Sequence, residues 1–272
     1  MSRIFAFGCS FTQYMWPTWA NIIAYDQQKP LYNFGVAGMG NVGIMQRVLE
    51  ADLKYNITKD DDIYIMWTSW SRDDKVIDYN YQGLGSVFNS DKHIKWYKEN
   101  WSIENDIIKN VTAINFVNRL YNIKWQGHAN QPYTSEIDTH KIQLIKQFSN
   151  IEIEEKIKQL YSKGLPDIEW KNLEQDKLAF NCFPDSHPDT IEYLDVVQNW
   201  IYPALGFELR KETAEAYGEL ATCVYDTFTS KKIKDFKDAV PMMNGILMLQ
   251  FPHLNEYQNI QSIFDNIDET SG

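Results

Sequence analysis

The sequence predicts a three-layer α/β/α fold on a mainly parallel sheet, from three observations. Short apolar runs at 3–7, 31–34 and 63–67 alternate with stretches of helical periodicity at 16–27 and 41–56, the rhythm of βαβ units. The third run, Ile63-Tyr64-Ile65-Met66-Trp67, is apolar throughout, as a strand covered on both faces must be. With 272 residues, 44% of them apolar, the chain can bury a core of the size such a sheet needs.

The elements follow in order. Arg3 to Phe7 reads as the first strand and stops at Gly8-Cys9-Ser10-Phe11-Thr12. Residues 16–27 form a helix with Pro17 in its first turn, where a missing N–H costs nothing. Leu31 to Phe34 is the second strand, and 41–56 a helix that Asn41 caps. Asp60-Asp61-Asp62 reads as a solvated turn before the third strand. Residues 72–100 mix charge, Gly83, Gly85 and the aromatics Tyr79, Tyr81, Phe88, Trp96 and Tyr97, which predicts an insertion or long loop. Ile107, Val111, Ile114 and Val117 share a face of a helix over 103–121. Between 122 and 180 only a helix near 140–162 stands out, and the next strand has no clear signal. Asp189 and Thr190 open a helix through Trp200, and Tyr217, Leu220, Val224 and Phe228 mark a later one. The chain divides into an α/β domain at 1–202, with the insertion at 72–100, and a helical C-terminal extension at 203–272 packed on it.

Charge narrows the partners. A net charge of −11 and a pI near 4.9 argue against binding nucleic acid or an anionic membrane surface. No stretch approaches the ~20 apolar residues of a membrane helix, and the first residues lack a signal-peptide pattern. Cys9, Cys182 and Cys223 are odd in number and widely spaced, which excludes a disulfide framework and points to a reducing, cytoplasmic compartment. Neither His-Glu-x-x-His nor paired Cys-x-x-Cys occurs, so no metal and no organic cofactor is expected.

The chemistry concentrates at two places. Ser10 stands just past the carboxyl end of the first strand, where a parallel sheet presents side chains to a ligand. A serine hydroxyl needs a base for its proton, donors for the oxyanion and an acid to orient the base. Among His93, His128, His140, His187 and His253, only His187 has a carboxylate two residues before it, Asp185, and a proline after it, Pro188. The other four sit in polar or irregular contexts and read as surface residues. Either motif alone also describes an ordinary turn. Two other stretches fit a site. Cys9 beside Ser10 is a thiol nucleophile or a small buried residue. Gly38-Met39-Gly40-Asn41-Val42-Gly43 fits the dinucleotide fingerprint, but strand 63–67 ends in Thr68-Ser69 rather than in an acid for the ribose.

Taken together the motifs resemble the SGNH (GDSL-like) hydrolase family over residues 3–72 and 183–200. Gly8-Cys9-Ser10 matches its first block, Asn33-Phe34-Gly35-Val36-Ala37-Gly38 its second, and Asp185-Ser186-His187-Pro188 its last, with one residue fewer between Asp and His. The resemblance implies a flavodoxin-like fold and a triad of nucleophile Ser10, general base His187 and orienting Asp185. It also implies an oxyanion hole from the Ser10 and Gly38 amides. The third block departs: Trp67-Thr68-Ser69-Trp70-Ser71-Arg72 lacks the family's asparagine, leaving the Thr68 or Ser69 hydroxyl as third donor and Arg72 for an anionic substrate group. Trp67 and Trp70 begin an aromatic run, continued by Tyr79, Tyr81, Trp96 and Trp101, that reads as a sugar-stacking wall or as packing. The implied activity is hydrolysis of a small-molecule or glycan ester, O-acetyl groups on carbohydrate foremost. The alternative is a weak or inactive scaffold with a structural or glycan-binding role. Gly-Cys-Ser-Phe-Thr with Trp-Thr-Ser is similar to bacteriophage-encoded members, which adds virion assembly or a homo-oligomer to the partner expectations and virion association to the location.

Overall fold

The computed structural model describes residues 2–69, 72–77, 80–86, 103–129, 167–168, 170, 177–255 and 257. Its centre is a five-stranded parallel sheet of β1 (Ile4–Phe7), β2 (Leu31–Asn33), β3 (Asp62–Trp67), β6 (Trp125–Ala129) and β7 (Asp167–Ile168). The spatial order is β2-β1-β3-β6-β7, so the winding reverses between β1 and β3, and both strands deliver their carboxyl ends to that point.

Apolar alternation covers both faces. Phe5 stacks on Tyr32 at 5.0 Å and meets Tyr55 of α2 (Asn41–Tyr55). Its neighbour Ala6 pairs with Tyr64, whose ring meets Trp19 of α1 (Trp19–Gln27). Successive strand residues point to opposite faces, so α1 and α2 lie on opposite sides of the sheet. Helix α3 (Ile103–Leu120) packs on α2. Helix α4 (Thr190–Val196) packs on α1 and continues through a π-helical turn, Val197–Ile201, into α5 (Tyr202–Leu205). Then come α6 (Lys211–Lys231), α7 (Phe236–Leu249) and α8 (Pro252–Asn255). Tyr217, Leu220, Val224 and Phe228 of α6 are all buried, and the helix lies on α1 and α4. The described apolar residues of α6 and α7 therefore share one core with the sheet. Among the described residues no helix is long and apolar enough to cross a membrane.

Several local expectations are corrected. Helix α1 starts at Trp19 behind a Thr18–Asn21 capping box, which leaves Pro17 ahead of the helix rather than in its first turn. Within the stretch expected to be an insertion or long loop, β4 (Arg72–Ile77) and β5 (Asn80–Ser86) form an antiparallel pair, so this part is not irregular. His128 is buried in β6, not on the surface. The helix near 140–162, and with it His93 and His140, lies outside the described residues.

The acidic turn is solvated only in part, with Asp60 exposed and Asp62 half-buried. Asp61 is buried and takes a bidentate pair from Arg3, Nε at 2.9 Å and NH2 at 2.6 Å, while the Thr58 amide donates at 2.8 Å. The Arg3 hydrogen bonds hold the Asp61 carboxyl well below the usual carboxylate range, against the opposing effect of burial. A depressed carboxyl contributes stability above its unfolded value, and that contribution is lost as pH falls through the folded one. Asp61→Asn is thus expected to lower urea-unfolding stability by about 1–3 kcal/mol at neutral pH. The gap to wild type should narrow as the medium is acidified through the carboxylate range.

Candidate active site

The turn after β1 is built by neighbours that leave no room for alternatives. Thr12 N donates to Cys9 O at 2.9 Å, closing the turn around Ser10. From β2, the Asn33 side chain donates to Thr12 O at 2.7 Å and accepts from Gly35 N at 3.0 Å. Thr18 Oγ1 donates to the same Thr12 carbonyl at 2.6 Å. A side chain at Gly8 would strike Thr12 Oγ1 at 2.0 Å and Met66 O at 2.9 Å, so only glycine lets the turn lie against β3.

A second loop meets this one from the far end of the chain. Strands β8 (Leu178–Ala179) and β9 (Phe183–Pro184) form a hairpin whose turn holds Phe180 and Asn181 in left-handed backbone, with Phe180 N donating to Asp189 Oδ2 at 2.8 Å. Phe183 packs on Phe228 of α6, so the C-terminal helix supports the strand that leads into Asp185. Asp189 caps α4 with bonds to the Ile191 and Glu192 amides. Residues 14–17 run beside 185–190. Tyr14 OH donates to Asp185 Oδ2, Trp16 Nε1 donates to Pro188 O at 2.8 Å, and Thr190 Oγ1 donates to Pro17 O at 3.3 Å. Trp16 is fully buried at this seam, edge-on to Phe180.

The two loops bring Ser10, His187 and Asp185 into one relay. His187 Nε2 lies 3.0 Å from Ser10 Oγ, and His187 Nδ1 lies 2.8 Å from Asp185 Oδ1, an oxygen that also accepts from the His187 amide at 2.8 Å. Because the carboxylate can only accept, Nδ1 carries the proton and Nε2 is left to take one from the serine. The shorter Asp-x-His spacing works because one Asp185 oxygen accepts from the backbone N–H of His187 and from its Nδ1. Burial opposes ionisation of Asp185, but the bonds from His187 and from Tyr14 outweigh it and hold the carboxyl below its ordinary value. The Tyr14 hydroxyl is pushed up by burial and by that same carboxylate, so it stays a donor. The Tyr14 ring stacks on the imidazole at 4.1 Å and 18°, and Phe11 meets the imidazole edge-on at 5.6 Å. Ser10 is 5% exposed, whereas the His187 side chain keeps 27%, so the relay opens to solvent along the imidazole edge.

The loop after β2 is tied to the nucleophile turn by a backbone bond. Val36 N donates to Gly8 O at 3.2 Å, laying the 35–38 turn along Gly8-Cys9-Ser10, and Gly38 adopts φ 75°, the left-handed region glycine favours. Among the described residues, neither the Ser10 nor the Gly38 amide donates a hydrogen bond. Thr68 and Ser69 are buried at the end of β3. The Thr68 peptide is clamped from both sides by Asn41, whose Oδ1 accepts from Thr68 N at 2.8 Å and whose Nδ2 donates to Thr68 O at 2.9 Å. Asn41 is therefore no helix cap; that position is Gly40. The Thr68 amide is already used, so any oxyanion donation there falls to the hydroxyl.

Asp74 of the hairpin takes the capping role across the chain, accepting from Gly40 N at 2.7 Å and Gly43 N at 2.8 Å. A Cβ on Gly40 would lie 2.6 Å from the Asp74 carboxylate. The amides that a nucleotide phosphate would need at this helix end are thus held by a carboxylate, which removes the dinucleotide alternative.

Of the aromatic run that reads as a sugar-stacking wall or as packing, only Trp67 has a described side chain. Trp67 is fully buried with its indole N–H on Gln126 at 3.0 Å; it is core, because its place in the central β3 is covered on both faces. Arg72 is half-buried and donates to Met39 O at 3.3 Å, beside the 35–38 turn. Trp70 lies outside the described residues, as do Tyr79, Phe88, Trp96, Tyr97 and Trp101. Cys9 is 1% exposed and buried in the core beneath the turn. A groove of about 610 Å³ between the β8–β9 hairpin, α4 and α6 is lined by Lys177, Asn181, Glu192 and Tyr225 among others, but not by Ser10, Asp185 or His187. Sequence reasoning missed Tyr14, Asn41 and Asp74. A tyrosine four residues past the candidate nucleophile was the one available signal for the first. Asn41 reaches a partner 27 positions away and Asp74 reaches partners 31 and 34 positions away, which no local pattern encodes. No family model matches the chain, and no curated protein matches it.

Proposed function

We propose that this chain is a serine esterase of the SGNH (GDSL-like) type on a flavodoxin-like fold. The observation that carries the reading is the contact of Ser10 Oγ with His187 Nε2 at 3.0 Å, backed by Asp185 on the other ring nitrogen. Strand order β2-β1-β3 with later strands outside β3, and a nucleophile at the switch point, support the fold assignment.

Ser10 Oγ attacks the ester carbonyl while its proton passes to His187 Nε2. The carbonyl electron pair moves onto oxygen, where the Ser10 and Gly38 amides receive it. Collapse of the tetrahedral intermediate breaks the bond to the alcohol, which leaves with the proton from Nε2. A water then repeats the attack on the acyl-serine under the same base, releasing the acid and restoring Ser10. Asp185 keeps the imidazole in the productive tautomer and balances the imidazolium. The Thr68 or Ser69 hydroxyl stands where the family's third-block asparagine would donate; a site without any third donor would turn over roughly 10²–10³ more slowly, the usual value of one such donor.

The substrate class we favour is a small acyl ester, O-acetyl groups on carbohydrate first, handled in the cytoplasm or on a virion. The test is acetate release from O-acetylated polysaccharide alongside hydrolysis of p-nitrophenyl acetate. Acetate release supports the reading. A folded chain that binds the polysaccharide and hydrolyses neither ester marks it as a scaffold instead.

A further inference from the structure

We infer that Tyr14 is a positioning residue of the relay, acting on Asp185 through its hydroxyl and on His187 through its ring; this rests on the hydrolase reading above. Asp185 has two carboxylate oxygens in a half-buried setting. One is committed to His187, receiving both its amide and its Nδ1 proton at 2.8 Å. Nothing in the Asp-x-His turn reaches the other, and without a donor the carboxylate could rotate about its χ2 axis and exchange oxygens. The Tyr14 hydroxyl closes that freedom from the opposite side, donating to Oδ2.

The same side chain is the surface on which the imidazole lies. At 4.1 Å and 18° the two rings are parallel in contact, with Phe11 bounding the imidazole edge at 5.6 Å. The negative face of the phenol ring meets His187 where positive charge develops once Nε2 takes the serine proton, an attraction that grows in the transition state. Tyr14 is itself fixed, edge-on to buried Trp16 at 4.7 Å, and Trp16 is tied to Pro188 of the late loop. One residue of the early loop therefore sets both rotational freedoms of the late one, the carboxylate twist and the ring tilt. It adds to the hold that the His187 amide already has on the carboxylate.

Two variants separate the parts. Tyr14→Phe keeps the ring and removes the hydroxyl; Tyr14→Leu removes both. Phosphonylation of Ser10 by a fluorophosphonate should slow by about tenfold to a hundredfold in the limiting rate for Tyr14→Phe, the range of one hydrogen bond to a charged group, with half-saturating probe concentration unchanged. Tyr14→Leu should lose about tenfold more, so that the phenylalanine rescues the ring's share. Independently of any turnover, the His187 Nδ1 proton should give a low-field NMR resonance in wild type that broadens in Tyr14→Phe at matched thermal stability. A phosphonylation rate and a resonance both unchanged in Tyr14→Phe overturn the inference. If wild type is never labelled, the hydrolase reading fails, and the resonance still decides whether Tyr14 holds the pair.

Discussion

Ser10→Ala and His187→Ala are each expected to lower ester turnover by about 10⁶, and the double variant by no more than either alone. The reason lies in the shared proton. With the hydroxyl removed the imidazole has nothing to deprotonate, and with the imidazole removed the hydroxyl cannot leave its own proton within 3.0 Å of a base. The two changes break one event, so their free energies do not add. What survives is the residual rate that aligned amides at Ser10 and Gly38 give to attack by water. Steady-state hydrolysis of p-nitrophenyl acetate by the three variants checks the pattern. Additive losses would mean that Ser10 and His187 act separately. Cys9→Ala serves as the control, since its thiol is 1% exposed in the core and should leave turnover little changed.

Asp185→Asn should cost about 10⁴ in kcat while the fold persists. Every group that reaches this carboxylate is a donor: the His187 amide, Nδ1, and Tyr14 OH. An amide in its place sets an NH2 against one of them. The tyrosine can relieve the conflict by accepting, or the imidazole can by moving its proton to Nε2, where it faces Ser10 and blocks the attack. Asp185→Asn should also remove stability that wild type holds above the carboxylate range. Its carboxyl is depressed by His187 and Tyr14 against the cost of burial, so that contribution fades as pH falls through the folded value. Measuring kcat together with urea stability across acid pH distinguishes a tautomer defect from simple unfolding. A variant with full kcat would place the orienting charge elsewhere.

The legible part of the fold was the part governed by local periodicity. The apolar run 63–67 and the stripe at Tyr217, Leu220, Val224 and Phe228 declare their burial in composition alone, and all nine residues are buried. The nucleophile loop and the late Asp/His loop were legible because glycine, proline and a single well-placed histidine are confined by backbone sterics to few roles. What sequence could not convey were polar residues whose partners are distant. Asp61 looks like part of a solvated acidic run until Arg3, 58 positions away, is folded beside it. Asn41 looks like a helix cap until β3 brings Thr68 to its amide, and Asp74 then fills the capping role from another strand. Trp67 stood open between a substrate wall and packing, and its place in a central strand makes it core. Tyr14 belongs with the distant polar residues, since its value depends on a carboxylate 171 positions later.

The most direct measurement is peptide mapping by mass spectrometry after exposure of the full chain to a fluorophosphonate. One phosphonyl group on the peptide bearing Ser10, absent in Ser10→Ala and in His187→Ala, is the predicted result. An adduct on Cys9, an adduct that persists in His187→Ala, or a folded chain that takes up no label would contradict the account.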